Sequence, residues 1–259
     1  MNLRDELRTA IYLTYEAGVE IMKIYDRQCE VMYKEDQSPV TEADLASNRI
    51  ILDGLKKSFP EHAFLSEESE DDRTRLENEW CWLIDPLDGT REYLKRNGEF
   101  SINIALAYQK KVVLGVVYAP VQQELFFAVK GRGAYVVRNN QKAQPIQVSE
   151  REKNIRLVVG RSPKSKHVRT MAKLNQVNRI MEKGSSLKGC LIAEGKADIH
   201  YRYGPTMEWD TAAMQCIIEE AGGMIRNLDD TEIVYNREDS TNAKGFYILN
   251  RLQNKWKIV

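Results

Sequence analysis

The sequence predicts a two-lobed α/β protein of the α+β type, because three patterns follow one another along its 259 residues. Two helical patterns open the chain, and apolar strand patterns then follow in quick succession, separated by short turns that contain Gly or Asn. From about residue 150, strand and helix patterns alternate. We therefore predict an N-terminal lobe over residues 1–148, with helices on a mainly antiparallel sheet, and a C-terminal α/β lobe over residues 149–259.

The N-terminal lobe is predicted to begin with two helices. The first covers about 25 residues, and the positions that recur in it at helical spacing are Leu3, Leu7, Ala10, Ile11 and Thr14. The second begins near "SPVTEAD" and ends at Pro60, since proline stops a helix. A short strand and an acidic loop follow in "HAFLSEESEDDR", and the apolar run "WCWLI" is predicted to be a buried strand. The antiparallel meander is then formed by "FSINIALAY", "VVLGVVYAP", "ELFFAVK" and "GAYVVRN".

The C-terminal lobe begins near "NNQKAQPIQVSE", where the rhythm of the sequence changes. The segment "IRLVVG" is predicted to be a strand, "SKHVRTMAKLN" a helix and "SSLKGCLIAEG" a short helix that ends on glycine. The strand "ADIHYRYG" follows, and "WDTAAMQCIIEEAGG" is predicted to be a helix with glycine at its C-terminal cap. The last strand is "FYILN".

The composition excludes several classes of protein. Basic and acidic residues both number 38, so the formal net charge is zero, which argues against a nucleic-acid polymer as partner. Apolar runs stay well below the roughly 20 residues of a membrane helix, and charges interrupt the N-terminus, so neither a transmembrane segment nor a signal peptide is predicted. We expect a cytoplasmic protein, or one peripheral on the cytoplasmic face of the inner membrane, as described for some relatives of the family named below.

Cysteine and histidine are few and scattered. None of the cysteines forms a CxxC pair, and we predict reduced, buried thiols at Cys29, Cys81, Cys190 and Cys216. The histidines are far apart in the sequence, at His62, His167 and His200. A zinc site and a Ser-His-Asp triad are therefore not predicted.

The most informative segment is "WLIDPLDGTREYLKRNGEF", in which two carboxylates end an apolar strand. Asp85 and Asp88 flank a stiff Pro86 turn, and Gly89 lets the backbone come close to a ligand. Thr90 opens a short helical pattern whose free N–H groups favour a phosphate. The segment is either a cage for Mg²⁺ with a phosphate cradle beside it, or a turn that caps a helix.

Three other places supply acidic side chains, each with an ordinary alternative. Glu67 ends a strand pattern, although the acids that follow it are typical of a solvated loop. Asp210 begins an Ala-rich helix, where the helix dipole alone favours an acid. Thr41 and Asp44 have the spacing of a capping box. Together these places offer carboxylates from four separate elements, which is what a metal cluster requires.

Taken together, these motifs resemble the inositol monophosphatase superfamily, and most closely its bacterial 3′(2′),5′-bisphosphate nucleotidases. The motifs occur in the family's order, from Ser38 to Gly223: "SPVTEAD", "LSEES", "WLIDPLDGTREYLKRNGEFSINIAL", "GVVYAP", "GSSLK" and "GPTMEWDTAA". The resemblance implies the layered α-β-α-β-α sandwich of the sugar phosphatases. It also implies two Mg²⁺ ions in each active site, with a third, weaker one near Asp44 and Glu67.

The resemblance further assigns roles to individual residues. The first Mg²⁺ would be bound by Glu67, Asp85 and the Leu87 carbonyl, and the second by Asp85, Asp88 and Asp210. The backbone of Asp88, Gly89 and Thr90 would hold the scissile phosphate, and Asp44 would activate the Thr90 hydroxyl, which positions the attacking water. The nucleotide would be bound by Ser185, Lys188 and Arg202, together with Glu67, Leu87 and Asp210. A surface lysine and a structural arginine are the alternatives for Lys188 and Arg202.

The implied activity is Mg²⁺-dependent hydrolysis of adenosine 3′,5′-bisphosphate, a by-product of sulfate assimilation, to AMP and phosphate. The implied partner is thus a small nucleotide bisphosphate, 3′-phosphoadenylyl sulfate is a second substrate, and lithium is an inhibitor. Inositol monophosphatase or fructose-1,6-bisphosphatase activity is the alternative on the same scaffold. A non-catalytic nucleotide or metal sensor is the rival from another class, and Thr90 beside an intact set of acids argues against it. The oligomeric state stays open.

Overall fold

Helices and two β-sheets alternate as layers in the computed structural model, which describes residues 2–27, 31–33, 39–161 and 166–257. The helices of the described residues are α1 (Arg4–Tyr25), α2 (Glu42–Ser58), α3 (Thr90–Leu94), α4 (Lys166–Leu174), α5 (Leu187–Ala193) and α6 (Glu208–Glu220). The first nine strands are β1 (Val31–Tyr33), β2 (Pro39–Thr41), β3 (Ala63–Ser66), β4 (Trp80–Asp88), β5 (Ser101–Tyr108), β6 (Lys111–Ala119), β7 (Glu124–Val129), β8 (Ala134–Arg138) and β9 (Gln144–Ile146). The last five are β10 (Arg156–Val159), β11 (Arg179–Glu182), β12 (Ile199–Arg202), β13 (Met224–Asn227) and β14 (Phe246–Leu249).

The larger sheet has seven strands in the order β3-β4-β5-β6-β7-β8-β9. Strand β3 pairs with β4 in parallel, and every later pair is antiparallel, as the short turns between the strands predicted. The second sheet has five strands in the order β11-β10-β12-β14-β13. Its first three strands are parallel, and β14 runs antiparallel to both of its neighbours.

Alternate residues of β4 face opposite layers, as the period of two in a strand requires. Trp82 and Ile84 pack in the apolar cluster that contains the inner faces of α1 and α2. Cys81 and Leu83 pack in a second cluster, which contains Ile217 of α6. The seven-stranded sheet therefore lies between two layers of helices.

The five-stranded sheet completes the layers on the other side of α5 and α6. Val158 and Ile248 share the cluster of α6, whereas Leu157 and Ile199 face α4. The order of layers is α1 and α2, seven-stranded sheet, α5 and α6, five-stranded sheet, α4. This confirms the predicted α-β-α-β-α sandwich, while the boundary between residues 148 and 149 stays a prediction.

Helix α6 lies very close to β6 because Gly115 faces it. A Cβ atom at Gly115 would lie 2.3 Å from the Ala213 carbonyl oxygen, which is far inside contact distance. The absence of a side chain there sets the depth of the helix, and with it the position of Asp210 in its first turn.

The cysteine prediction is confirmed where the structure describes the chain. Cys81, Cys190 and Cys216 are free and buried, and burial raises the pKa of each thiol. Cys29 lies outside the described residues. Within those residues, the helices all lack the combination of length and apolarity that would let one cross a bilayer.

Candidate active site

The end of strand β4 carries Asp85 and Asp88, and its pairing with β5 is irregular there. Asp85 pairs with Asn103 and Asp88 with Ser101, with a register shift between the two pairs. The shift turns the backbone, and the Leu87 N–H donates to Asp85 Oδ1 over 3.1 Å. The sequence predicted both acids at the end of the strand, and the strand indeed ends at Asp88, with a bulge between the two acids.

Three carboxylates from three elements meet at this bulge. Glu67, Asp85 and Asp210 each offer one oxygen atom, and these atoms all lie within 4.8 Å of one another. Glu67 follows β3, where its N–H donates to the Ile84 carbonyl over 3.1 Å. Asp210 lies in the first turn of α6 and accepts the Met207 N–H over 2.7 Å, which fixes its direction. The tertiary fold thus collects acids that are 143 residues apart, from 67 to 210.

The electrostatics of this cluster are those of crowded carboxylates that repel one another. Asp85 is only 1% exposed, and burial, followed by the charges of Glu67 and Asp88, raises its pKa well above the ordinary value. Burial, followed by the charge of Asp88, raises the pKa of Asp210 to about 7. Asp85 Oδ2 is buried and has no hydrogen-bond partner among the described residues. Hard oxygen atoms under mutual repulsion fit a divalent cation such as Mg²⁺.

Asp88 lies beside the cluster but is held differently. Its Oδ2 accepts the Ser186 N–H over 2.5 Å, the Ser186 hydroxyl over 2.8 Å and the Asn103 side-chain amide over 3.3 Å. Ser186 and Asn103 therefore orient a predicted metal ligand. Neither residue was predicted to belong to the site, although Ser186 lies within the "GSSLK" motif.

The buried Asp44 and the half-buried Thr90 form a pair next to the cluster. The predicted capping box is present, because Asp44 Oδ2 accepts the N–H of Thr41 over 2.8 Å and its hydroxyl over 2.5 Å. Asp44 Oδ1 accepts the Thr90 hydroxyl over 3.2 Å. Burial raises the pKa of Asp44, although the hydrogen bonds from Thr41 oppose this. The Asp44 carboxylate thus caps helix α2 and also holds the Thr90 hydroxyl.

Gly89 makes the turn between these groups possible. Its φ of +94° lies in the left-handed region, which side chains disfavour, and it is the residue immediately before α3. Thr90 follows this turn, and its Oγ1 lies 3.4 Å from the Leu87 carbonyl oxygen.

A pocket of about 190 Å³ opens from Asp88 and Gly89 and includes the three residues that were predicted to contact a nucleotide. Those residues are Ser185, Lys188 and Arg202. Lys188 Nζ donates to the Ser185 carbonyl, and burial lowers the pKa of Lys188. Arg202 Nη2 donates to the Pro205 carbonyl over 3.3 Å. Two cationic side chains therefore lie beside the acidic cluster.

Glu99 of the "RNGEF" motif supports the rim of this pocket. It accepts two hydrogen bonds from Arg161, over 2.6 and 2.8 Å, and one from the Gly184 N–H over 2.9 Å. Burial acts to raise the pKa of Glu99, but these donors outweigh it and hold the pKa below the ordinary value. The carboxylate thus anchors Gly184, which precedes Ser185.

Comparison with known proteins agrees with this geometry. The model of the inositol monophosphatase family matches residues 2–255. The 3′(2′),5′-bisphosphate nucleotidase CysQ of Salmonella typhimurium is 39% identical over 246 residues, which cover 93% of this chain and 98% of that protein. The CysQ protein of Escherichia coli is 38% identical over 240 residues, which cover 91% and 96%.

Solved structures of the same family are also similar to this chain in fold. The crystal structure of CysQ from Bacteroides thetaiotaomicron, a bacterial member of the inositol monophosphatase family, has a TM-score of 0.84 at 34% identity, and the match covers 96% of this chain and 100% of that one. An IMPase from Thermotoga maritima has a TM-score of 0.80 at 28% identity, covering 95% and 92%. The chain belongs to the inositol monophosphatase family.

Proposed function

We propose that this chain is a Mg²⁺-dependent 3′(2′),5′-bisphosphate nucleotidase that hydrolyses the 3′-phosphate of adenosine 3′,5′-bisphosphate to AMP and phosphate. The observation that carries the proposal is the cluster of the buried Asp85 with the half-buried Glu67 and Asp210, beside a pocket with two cations. Relatives that match over nearly the full length and are named for this activity support the substrate. The 3′-phosphate of 3′-phosphoadenylyl sulfate has the same chemical surroundings as that of adenosine 3′,5′-bisphosphate. We therefore include 3′-phosphoadenylyl sulfate as a second substrate.

The acidic residues divide into two overlapping ligand sets in this proposal. Glu67, Asp85 and the Leu87 carbonyl hold one Mg²⁺, and Asp85, Asp88 and Asp210 hold another, with a weaker third position near Asp44. The unpartnered Asp85 Oδ2 supports its role as the shared ligand. When bound, Mg²⁺ supplies positive charge to the phosphoryl oxygens and to the leaving oxygen.

Thr90 and Asp44 orient the attacking water. The Thr90 hydroxyl donates its proton to Asp44, so its lone pairs are available to accept a hydrogen bond from water. The water oxygen forms a bond to phosphorus as the bond from phosphorus to the ribose 3′-oxygen breaks, without a phosphoenzyme. The proton of the water passes through Thr90 to Asp44, and solvent protonates the leaving ribose oxygen. A raised pKa makes Asp44 a better proton acceptor than an exposed aspartate.

The ribose and the second phosphate of the nucleotide occupy the adjacent pocket. The backbone of Asp88, Gly89 and Thr90 contacts the scissile phosphate, while Ser185, Lys188 and Arg202 contact the ribose and the second phosphate. The planar Arg202 guanidinium suits bidentate phosphate binding. The free thiols of the described residues favour a reducing compartment, and we propose the cytoplasm as the place of action.

The test is phosphate release at neutral pH from adenosine 3′,5′-bisphosphate, inositol 1-phosphate and fructose 1,6-bisphosphate, each with and without Li⁺ and EDTA. We expect a strong preference for the nucleotide, inhibition by Li⁺ and complete loss of turnover on chelation. A preference for inositol or sugar phosphate would contradict the assignment of Ser185, Lys188 and Arg202. Turnover that survives chelation would contradict the metal scheme.

A further inference from the structure

His200 lines the pocket, and one of its ring nitrogens is not used by the proposed mechanism. The strand β12 alternates between two faces, so Ile199 and Tyr201 pack towards α4 while His200 and Arg202 line the pocket. His200 is only 3% exposed, and its Nε2 has no hydrogen-bond partner among the described residues. A buried polar atom without a partner is costly unless a ligand satisfies it.

The protonation of this ring follows from its other nitrogen. His200 Nδ1 lies 2.8 Å from the Val158 carbonyl oxygen, which can only accept, so Nδ1 carries the hydrogen. Burial, followed by the neighbouring Lys188, lowers the pKa of His200 to about 3, so the ring is neutral at neutral pH. Nε2 is therefore a hydrogen-bond acceptor. Phe246, whose ring centroid lies 5.8 Å from that of His200 in an edge-on arrangement, helps to fix the ring.

Because His200 Nε2 accepts a hydrogen bond, it can pair only with those parts of a nucleotide that donate one. An ionised phosphate offers acceptors alone, so it suits Lys188 and Arg202 and not His200 Nε2. A ribose hydroxyl or a base amine can donate. The pocket, at about 190 Å³, is smaller than the roughly 300 Å³ of a small site for a whole drug-sized ligand, so it suits a part of a nucleotide and not the whole. Since Asp88 and Gly89 line the same pocket, that part includes the sugar attached to the scissile phosphate.

We propose that His200 Nε2 accepts a hydrogen bond from the ribose hydroxyl next to the scissile phosphate, and that this bond makes the enzyme select ribonucleotides over deoxyribonucleotides. For a 3′-phosphate the donor is the 2′-hydroxyl. The proposal rests on the proposed function, because it assumes that the scissile group is attached to a ribose. It adds a specificity residue to the residues that hold the phosphates.

Two substitutions separate the two nitrogens of the ring. His200→Asn places an amide near the position of Nδ1, which keeps the bond to Val158 and removes Nε2. His200→Gln places an amide near Nε2 and gives up the bond to Val158. The substrates are adenosine 3′,5′-bisphosphate and its 2′-deoxy analogue, and the measured quantity is the ratio of their kcat/KM values. Any intrinsic difference in reactivity between the two sugars cancels when enzymes are compared.

We expect His200→Asn to lower the wild-type ribose preference by about three- to tenfold, the factor for one neutral hydrogen bond. His200→Gln should keep part of that preference. An unchanged ratio in His200→Asn would overturn the proposal. The proposal would also be overturned if His200→Asn changed the ratio of the kcat/KM values for adenosine and inosine 3′,5′-bisphosphate and left the ratio for the two sugars unchanged. The acceptor would then contact the base.

A second measurement needs no variant of the site and no turnover. The chain has 3 histidines, so the ¹⁵N resonance of His200 Nε2 can be followed in the labelled wild-type protein with EDTA present. We expect adenosine 3′,5′-bisphosphate to shift it, and the 2′-deoxy analogue to shift it much less. Equal shifts would overturn the proposal even if a variant failed to fold. If the wild type hydrolyses no nucleotide bisphosphate at all, the proposed function has failed, and this spectrum still tests His200.

Discussion

The Thr90 hydroxyl lies between the Asp44 carboxylate and the Leu87 carbonyl, at 3.2 and 3.4 Å. Both of these neighbours accept hydrogen bonds, so the proton of Thr90 points to one of them. In the proposed mechanism, the lone pairs of this hydroxyl orient the attacking water. The methyl group of Thr90 takes no part in this, which makes the hydroxyl separable from the rest of the side chain.

Thr90→Val should therefore reduce kcat by about a hundredfold or more, the usual contribution of a positioned proton-transfer group, while KM changes little. Valine keeps the shape and removes the hydroxyl. Thr90→Ser is the matched control, because serine keeps the hydroxyl, and it should retain most of the activity. Steady-state kinetics with adenosine 3′,5′-bisphosphate measures both. Equal losses in the two variants would show that the hydroxyl is not what matters.

At the scale of residues, sequence motifs predicted the acids better than the groups that hold them. Asp85, Asp88 and Asp210 stand in recognisable segments, and the structure brings Glu67, Asp85 and Asp210 together as a metal cluster would require. Ser186, Asn103 and His200 were not predicted, because their contacts join distant segments. The hydrogen bond from Asn103 to Ser186 spans 83 residues, and nothing local in either segment indicates it.

Helix α6 is the element that connects both sheets to the site. It carries Asp210 in its first turn and packs with its apolar residues in the cluster between the sheets. Because Gly115 lets the helix approach β6 so closely, a side chain at that position acts directly on the helix.

Gly115→Ala should lower the free energy of unfolding by about 1 to 3 kcal/mol, the usual cost of overpacking, since the new Cβ would meet the Ala213 carbonyl. It should also weaken Mg²⁺ binding, because the helix must move and takes Asp210 with it. Gly160→Ala is the matched control, since a Cβ there has no described atom within 4 Å. Urea unfolding and Mg²⁺ titration measure the two effects. A Gly115→Ala protein as stable as the control would contradict this account of the packing.

Elements were predictable where they are long. The predicted helices and the main strands are present, including the glycine after α6, where Gly222 has a φ of +88°. Strands β9, β11 and β13 were not predicted, because three or four residues such as "RIME" or "MIRN" carry too short and too polar a pattern. They form only because a neighbouring strand offers its backbone groups.

For the molecule as a whole, the acidic cluster links stability to pH. Asp210 has an ordinary pKa of 3.8 and a folded pKa of about 7, and the pKa of Asp85 is also raised. The folded metal-free protein therefore binds protons more tightly than the unfolded chain. This contribution to stability is fully present below pH 3.8 and is lost as the pH rises through about 7.

We expect the unfolding temperature in EDTA to fall as the pH rises from about 5 to 8. Mg²⁺ requires ionised carboxylates, so the increase in unfolding temperature on adding Mg²⁺ should grow over the same range. Differential scanning fluorimetry across this range, with EDTA and with Mg²⁺, measures both.

Asp85→Asn is the corresponding variant, since Asp85 is the buried member of the cluster with Glu67 and Asp210. It should flatten the pH dependence in EDTA and abolish the effect of Mg²⁺, with the fold kept. Asp53→Asn, on the exposed side of α2, is the control and should behave as the wild type. A Mg²⁺ effect that does not vary with pH would contradict the linkage.

The position of α6 between the two sheets also affects how the chain is made. All seven strands of the larger sheet leave the ribosome before the helices that bury its inner face, which includes Leu83 and Phe126. The nascent chain therefore carries an apolar sheet surface that nothing yet covers. Such surfaces favour association between growing chains. We expect newly synthesised chains to depend on chaperones until residue 220, the end of α6, has emerged.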